Sequence, residues 1–396
     1  MRKPTCDVLI IGGGLAGASS AAALAKRGLV VCICEGENSL AQRASGNRFA
    51  LLMPYITERH SVFSAVYSKG FAFTLACLNA LETPSPLLQQ VGGIQLPSTA
   101  RLEKLVRSRE PLQSNGDIRR IDPQEASCIS GVEISSPGFF VPSAGFVSPR
   151  ELIRHQVHEH AAVYTSSLVA SLQQSDGTWA TELANGSRLS SSAIVLCAAY
   201  ESAAFDNAAY LPLEAIRGQT VNLLATPKSS RLQTIVCFDG YITPAVSGEH
   251  LIGAHYRHGD SRTDISVDDS AEIMDTAHNR LPALDLKASH IGSARVCFRT
   301  STVDRLPYVG GVPDFVGMRE QAEQFQPGTD LAKRVCPATV RGLFINAGHG
   351  SRGLLSCPMS GEIVARLISG EPLGELASIS EILSPSRTVP RFLRKD

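Results

Sequence analysis

The chain has 396 residues, 43% of them hydrophobic and 19% charged, with 37 basic and 37 acidic side chains. That composition excludes a disordered or fibrous protein and leaves room for two domains or one large one. With a formal net charge of zero there is no whole-chain field for nucleic acid or an anionic membrane, so any polyanion site must be a local patch.

The N-terminus begins with Arg2 and Lys3 and runs into small apolar residues, Val8 to Ala25, as an export signal does. Asp7 interrupts the entry, glycines crowd the run and a strand pattern continues beyond it, so we read a folded segment. No stretch of strongly apolar residues reaches membrane-spanning length. The first 37 residues predict strand, turn, helix and strand. Val8 to Ile11 is a buried-strand run, Gly12-x-Gly14-x-x-Gly17 follows at once, Ala18 to Lys26 favours helix, and Gly28 stops it. Leu29 to Cys34 is the second strand, and Glu35 ends it 23 residues after Gly12. Gly12 permits the tight turn, Gly14 lets a pyrophosphate approach the backbone, and Gly17 lets helix and strand pack closely. Glu35 suits the two hydroxyls of an adenosine ribose and repels a 2′-phosphate, which leaves FAD and NAD.

Farther on, Ala44-Ser45-Gly46-Asn47 forms a polar turn: a plain loop, or small residues and N–H donors beside a planar cofactor. Residues 61 to 82 predict a helix. Residues 83 to 137 read as irregular, with Pro84, Pro86, Pro97 and Pro111. Ser148-Pro149-x-Glu151 is a helix start. His155, His158 and His160 are placed on that helix at a spacing that converges on no metal, so they read as surface or packing residues. Residues 163 to 199 predict strands with turns at Asp176-Gly177 and Asn185-Gly186. Alternating runs from 213 to 260 predict an antiparallel sheet. A loop near 314 to 338 leads to the strand Leu343 to Ala347 and a second glycine turn, Gly348-His349-Gly350-Ser351-Arg352-Gly353.

Two glycine turns more than 300 residues apart suggest one long cofactor held at both ends. NAD has no anionic ring for the second turn to serve. Reduced flavin does, because negative charge develops around its N1 and C2 oxygen. The fold class expected is α/β (α+β overall): a Rossmann-like FAD-binding domain with a discontinuous, mostly antiparallel β substrate domain. The boundaries expected are 1–82, 143–212 and 338–380 for the FAD-binding domain, 83–142 and 213–337 for the substrate domain, and 381–396 as a tail. The ten cysteines include no CxxC pair and read as mostly buried thiols in a reducing, cytoplasmic compartment.

The Gly12 turn, "ASGNR", "GFFVPSAGFVSP", "DGYITP", "FRTSTVDRLPYVGGVPD" and "GHGSRGLLS" occur in the order found in the D-amino-acid oxidase and glycine oxidase superfamily, which the chain resembles over roughly residues 5 to 375. Within it, "ASGNR", "RGQT" with "DGYITP", "VDRLPYVGGVPD" and "GSRGL" resemble the oxidoreductase half of MnmC, a bifunctional tRNA-modifying family. The resemblance implies FAD contacts at Gly12, Gly14, Leu15, Ala16, Gly17, Glu35, Ala44, Ser45, Gly46, Asn47, Val169, Gly348, Gly350, Ser351, Arg352, Gly353 and Leu354. It implies Arg299 for a substrate carboxylate, Tyr241 facing the substrate, and Arg352 and His349 beside the reacting groups. The implied reaction removes the carboxymethyl group of 5-carboxymethylaminomethyl-(2-thio)uridine at the tRNA wobble position, with oxygen as electron acceptor. The family's methyltransferase half has no counterpart here, which implies either a separately encoded methyltransferase as partner or a different substrate.

Two other readings stand beside this one: an oxidase of a free or N-methyl amino acid, and a flavin-free binding protein on the same fold. Cys297, near where sarcosine oxidases attach FAD, is a candidate covalent site, although a buried apolar thiol is the commoner case. Lys104, Arg107, Arg109, Arg119 and Arg120, and the tail residues Arg387, Arg391, Arg394 and Lys395, are candidate phosphate contacts whose plain reading is a solvated surface.

Overall fold

The computed structural model describes residues 5–57, 61–81, 87–108, 118–158, 160–324 and 338–389. They form two compact units: 1–46, 150–215 and 299–396 in one, and 47–149 and 216–298 in the other. Segments 47–82 and 143–149 therefore lie with the second unit and 299–337 with the first, unlike the boundaries expected from sequence. Residues 381–389 also belong to the first unit rather than forming a separate tail.

The first unit is built on a sheet ordered Tyr308–Pro313, Thr339–Ala347, Arg188–Leu196, Cys6–Ile11, Val31–Cys34 and Ala162–Tyr164. The last five are mutually parallel, and Tyr308–Pro313 closes one edge antiparallel. Leu9, Ile10, Ile33, Ile194, Val195, Leu196 and Ile345 are fully buried, as expected of a parallel sheet covered on both faces, and Leu9, Ile194, Leu196 and Ile345 share one core with Val169, Trp179 and Leu183. The helices Leu15–Ala25 and Gly353–Ser369 pack against each other so closely that a Cβ at Gly361 would sit 2.6 Å from the Ser19 backbone carbon. The predicted hairpin Val169–Ser175 with Thr178–Leu183 is present. Asp176 and Gly177 take φ of 49° and 77° at its turn, the left-handed pair a two-residue hairpin demands.

The second unit carries a sheet ordered Ile291–Ser301, Glu214–Leu224, Glu249–Arg257, Tyr241–Ile242, Ile235–Cys237, Gly93–Gln95, Gly138–Val141 and Arg119–Ile121. Its registered pairs are antiparallel except Ile235–Cys237 with Gly93–Gln95. One face is covered by the helix Val267–Arg280, whose Ile273, Met274 and Ala277 join Val221, Leu223, Ile242 and Ile252 in the core.

Several local expectations change. The helix predicted over 61–82 spans Val62–Asn79, capped by Ser61. The stretch 83–137 holds helices Ala100–Arg107 and Pro123–Ser130, the second opened by an Asp122 capping box, while Pro84, Pro86 and Pro111 lie outside the described residues. The helix Pro149–Val157 stops before His158 and His160, so those histidines do not share its surface. Part of the expected 314–338 loop is a helix, Phe315–Ala322, started by the Asp314 side chain. Among the described residues no helix is long and apolar enough to cross a membrane.

Candidate active site

The first glycine turn links strand Cys6–Ile11 to helix Leu15–Ala25. Gly12 has φ of 110°, and a Cβ there would lie 2.5 Å from the Cys197 carbonyl oxygen. A Cβ on Gly17 would lie 2.0 Å from the Gly12 carbonyl oxygen. Both glycines are thus imposed by backbone. The helix starts at Gly14 with no capping side chain and no acid in its first turn. Its leading N–H groups have no intrahelical partner and carry the positive end of the helix dipole, the arrangement that receives an anion. Ser45, in the turn Ala44–Gly46, accepts the Leu15 N–H at 3.0 Å, so this polar turn is drawn to the glycine turn. Glu35 accepts the Gly13 N–H at 2.7 Å and the Glu37 N–H at 2.9 Å, which fixes its carboxylate beside the same turn. Leu15 and Ala16 are buried on the helix, and Val169 is buried at the start of its hairpin strand.

The second turn links strand Thr339–Ala347 to helix Gly353–Ser369. Gly348 and Gly350 take φ of 86° and 57°. A Cβ at Gly348 would meet Thr302 Cγ2 at 2.7 Å, whereas Gly350 has open space around it. Arg352 caps the helix through its backbone, with no side-chain cap and no acid in the first turn, so this helix N-terminus is also open to negative charge. Ser351 is exposed, Arg352 and Gly353 are half-buried, and Leu354 is buried.

A hydrogen-bond chain runs under this turn. Ser20 Oγ donates to the Ala16 carbonyl at 2.8 Å, and Asn346 Nδ2 donates to Ser20 Oγ at 3.0 Å. Asn346 Oδ1 therefore faces His349 Nε2, 3.1 Å away, and can only accept. That places the proton on Nε2 and leaves Nδ1 to accept from Ser356 Oγ at 2.8 Å. Burial of the ring drives His349 down to about 4, partly offset by its bond to Asn346, so it is neutral at pH 7. Both ring nitrogens are occupied in holding the turn's shape.

Arg299 lies near the end of strand Ile291–Ser301, and the carbonyl of the next residue, Thr300, accepts the Gly350 N–H at 2.7 Å. One backbone bond thus ties the predicted carboxylate-binding arginine to the second glycine turn.

The second unit holds Tyr241, Asn47 and Cys297. Tyr241 pairs with Gly253 across the sheet, and burial pushes its phenol pKa up, so the hydroxyl keeps its proton. Asn47 Oδ1 accepts from Arg295 at 2.7 Å and lies 3.9 Å from Cys297 Sγ. Sequence reasoning missed the role of "RGQT". Arg217 is 1% exposed and donates to the Arg262 and Asp264 carbonyls at 2.9 and 2.7 Å, while pairing with the buried Asp269 carboxylate. Gln219 donates to the Ser266 carbonyl at 2.7 Å. The motif clamps the segment leading into Val267–Arg280, and only an arginine's forked donors satisfy three acceptors from one buried position.

The candidate phosphate contacts are mostly engaged locally. Arg107 pairs with Glu103, Arg119 with Glu125 over the Phe140 ring, and Arg120 donates to Leu105 O and Ser108 Oγ. Arg387 is bound to Asp304 and to the Leu306 carbonyl at 2.7 Å, with its guanidinium over Tyr308. Lys104 is exposed; Arg109, Arg391, Arg394 and Lys395 lie outside the described residues.

Two glycine turns, each opening a helix whose N-cap residue makes no side-chain cap and whose first turn holds no acid, and a carboxylate fixed beside the first of them fit FAD as cofactor. A family model described as FAD dependent oxidoreductase matches residues 7–367. The chain is 34% identical over 403 residues to the tRNA 5-methylaminomethyl-2-thiouridine biosynthesis bifunctional protein MnmC of Chromobacterium violaceum, covering 98% of this chain and 60% of that protein. It is 33% identical over 405 residues to the MnmC protein of Pseudomonas entomophila, with the same two shares. It thus spans about 60% of the length of the relatives it matches. Glycine oxidase from Geobacillus kaustophilus shares the fold, with a TM-score of 0.76 at 23% identity over 97% of this chain and 99% of that one. With the site's geometry and a match over nearly its whole length, the chain belongs to the DAO family of FAD dependent oxidoreductases, enzymes acting on C–N bonds with FAD as cofactor.

Proposed function

We propose that this oxidoreductase removes the carboxymethyl group from 5-carboxymethylaminomethyl-(2-thio)uridine at the wobble position of tRNA. The substrate is in effect an N-alkyl glycine. Its methylene carbon gives up a hydride and its nitrogen a proton, forming an imine. Water adds across the C=N bond, and the adduct breaks to 5-aminomethyluridine and glyoxylate. FAD, once bound, would supply the two-electron acceptor, with oxygen as the final oxidant, reduced to peroxide.

What supports this reading most is the bond from Gly350 N–H to Thr300 O, which holds Arg299 one residue from the second turn. A guanidinium there offers two parallel donors to the substrate carboxylate. Arg352 and the leading N–H groups of Gly353–Ser369 would hold the negative charge that develops at the pyrimidine edge. Tyr241, in the second unit, keeps its proton and is therefore a hydroxyl donor and not a base. His349, neutral and engaged on both nitrogens, positions this turn and transfers no proton. No general base is needed, because hydride leaves from a neutral amine.

The test is anaerobic loss of the visible oxidised-flavin band, with tRNA bearing 5-carboxymethylaminomethyluridine in one cuvette and glycine, sarcosine or D-alanine in others. Bleaching by the modified tRNA at micromolar concentration is expected; bleaching only by a free amino acid overturns the proposal. Arg299→Lys, which keeps the charge but loses the fork, should lower kcat/KM by about 10- to 150-fold.

A further inference from the structure

We propose that Arg387 is a clasp: through Asp304 it holds the loop 302–306 against the second glycine turn, and so sets the shape of the end of the site that receives the flavin. The proposal rests on FAD reaching that turn, and not on which amine is oxidised. Every residue in it belongs to the first unit.

The loop 302–306 joins strand Ile291–Ser301 to strand Tyr308–Pro313. It touches the second turn beyond the bond from Gly350 to Thr300. A Cβ on Gly348 would lie 2.7 Å from Thr302 Cγ2, so the threonine methyl fills the space that the glycine leaves. The loop's own conformation is costly. Arg305 takes φ of 62°, a left-handed value for a residue with a Cβ, and its N–H returns to the Thr302 carbonyl at 3.1 Å. Such a turn persists where surrounding contacts over-determine it. Asp304 supplies some from within: its Oδ1 accepts the Leu306 N–H at 3.1 Å and lies 2.9 Å from Thr302 Oγ1.

The rest come from Arg387, on the short helix Pro385–Arg387. Nε donates to Asp304 Oδ2 at 2.8 Å. Nη2 donates to Asp304 Oδ1 at 3.1 Å and to the Leu306 carbonyl at 2.7 Å. Nη1 donates to the Leu383 and Ser384 carbonyls at 2.8 and 3.1 Å. Each N–H of the guanidinium is thus engaged, with 16% of the side chain exposed and the Tyr308 ring centroid 4.4 Å from Cζ. Burial works to raise the Asp304 pKa, but the Arg387 guanidinium outweighs it and holds the carboxyl below the usual carboxylate range. The order of contacts is Arg387 to Asp304, Asp304 to Thr302, Thr302 to Gly348. A guanidinium fork makes all of them at once, and an ammonium cannot. Arg387 is therefore a positioning residue for the turn rather than a contact for phosphate.

In the experiment the full-length chain is stripped of flavin and titrated with FAD and with ADP, which carries the adenine and pyrophosphate but no flavin; melting temperatures are recorded alongside. Wild type should bind FAD more tightly than ADP. Arg387→Ala should raise the FAD dissociation constant by about 10- to 100-fold and leave that of ADP within about threefold of wild type. Adding Asp304→Asn to Arg387→Ala should recover about three- to tenfold of the FAD loss, because no unpaired carboxylate is then left beside the turn. Arg387→Lys, which keeps the charge without the fork, should fall between wild type and Ala, and stands in for Ala if that variant does not fold. Unchanged FAD affinity, equal losses of FAD and ADP affinity, or no recovery in the double variant overturns the clasp and leaves FAD at the second turn. A wild-type chain that binds ADP as tightly as FAD overturns that placement, and the clasp with it.

Discussion

The two glycine turns look alike in sequence and are built in opposite ways. At the first, Gly12 and Gly17 are fixed by backbone atoms: the Cys197 carbonyl for one and the Gly12 carbonyl for the other. At the second, the turn rests on side chains. Asn346, His349 and Ser356 are linked hydrogen bond by hydrogen bond, and a Cβ added at Gly350 would meet nothing within 4 Å. Backbone cannot titrate or change rotamer, whereas a histidine network can do both. The first turn is therefore rigid, and the shape of the second depends on protonation.

That contrast can be broken from either side. The largest effect should come from Gly17→Ala. Its new methyl would stand 2.0 Å from a carbonyl oxygen that cannot move aside, costing about 3 kcal/mol or more, seen as loss of soluble, FAD-binding protein. Next is pH. An unfolded histidine takes its proton near 6.5, while folded His349 stays neutral down to about 4. Between those values the unfolded state binds more protons, so the contribution is complete above about 6.5 and is lost as pH falls toward 4. Between pH 7 and pH 5 this amounts to roughly 1–2 kcal/mol. His349→Asn should remove that part of the slope in melts of the FAD-free protein; an unchanged slope would refute the neutral-histidine account. The smallest effect belongs to Gly350→Ala: its φ of 57° costs a methyl-bearing residue about 1 kcal/mol, with no clash to add. If Gly350→Ala proved as damaging as Gly17→Ala, the second turn would be as closely packed as the first.

The same contrast explains what the sequence made legible. Gly12, Gly14, Gly17 and Glu35 could be read directly, because tight turns and close approaches admit few residue types. The turns at Asp176-Gly177 and Asn185-Gly186 were legible for the same reason. Arg217 and Arg387 were not. Each is charged in a polar neighbourhood, and nothing local says that its acceptors come from far along the chain: Asp269 for one, Asp304 for the other. The helix Phe315–Ala322 starts from an Asp314 cap that a proline- and glycine-rich approach conceals.

The order of strands in the first sheet also bears on how the chain is made. Cys6–Ile11 is flanked by Val31–Cys34 and by Arg188–Leu196, and Thr339–Ala347 joins only at the far side of the latter. During synthesis at about 5–20 residues per second, the nucleotide-binding half waits tens of seconds for its last parallel strand and the helix behind it. Until then the Ile194–Leu196 end of that strand has an open apolar edge, its Arg188–Ser191 end being already paired with Thr178–Leu183, and such an edge aggregates or recruits a chaperone. Yield of this enzyme should therefore respond to translation rate and growth temperature more than its equilibrium stability would suggest.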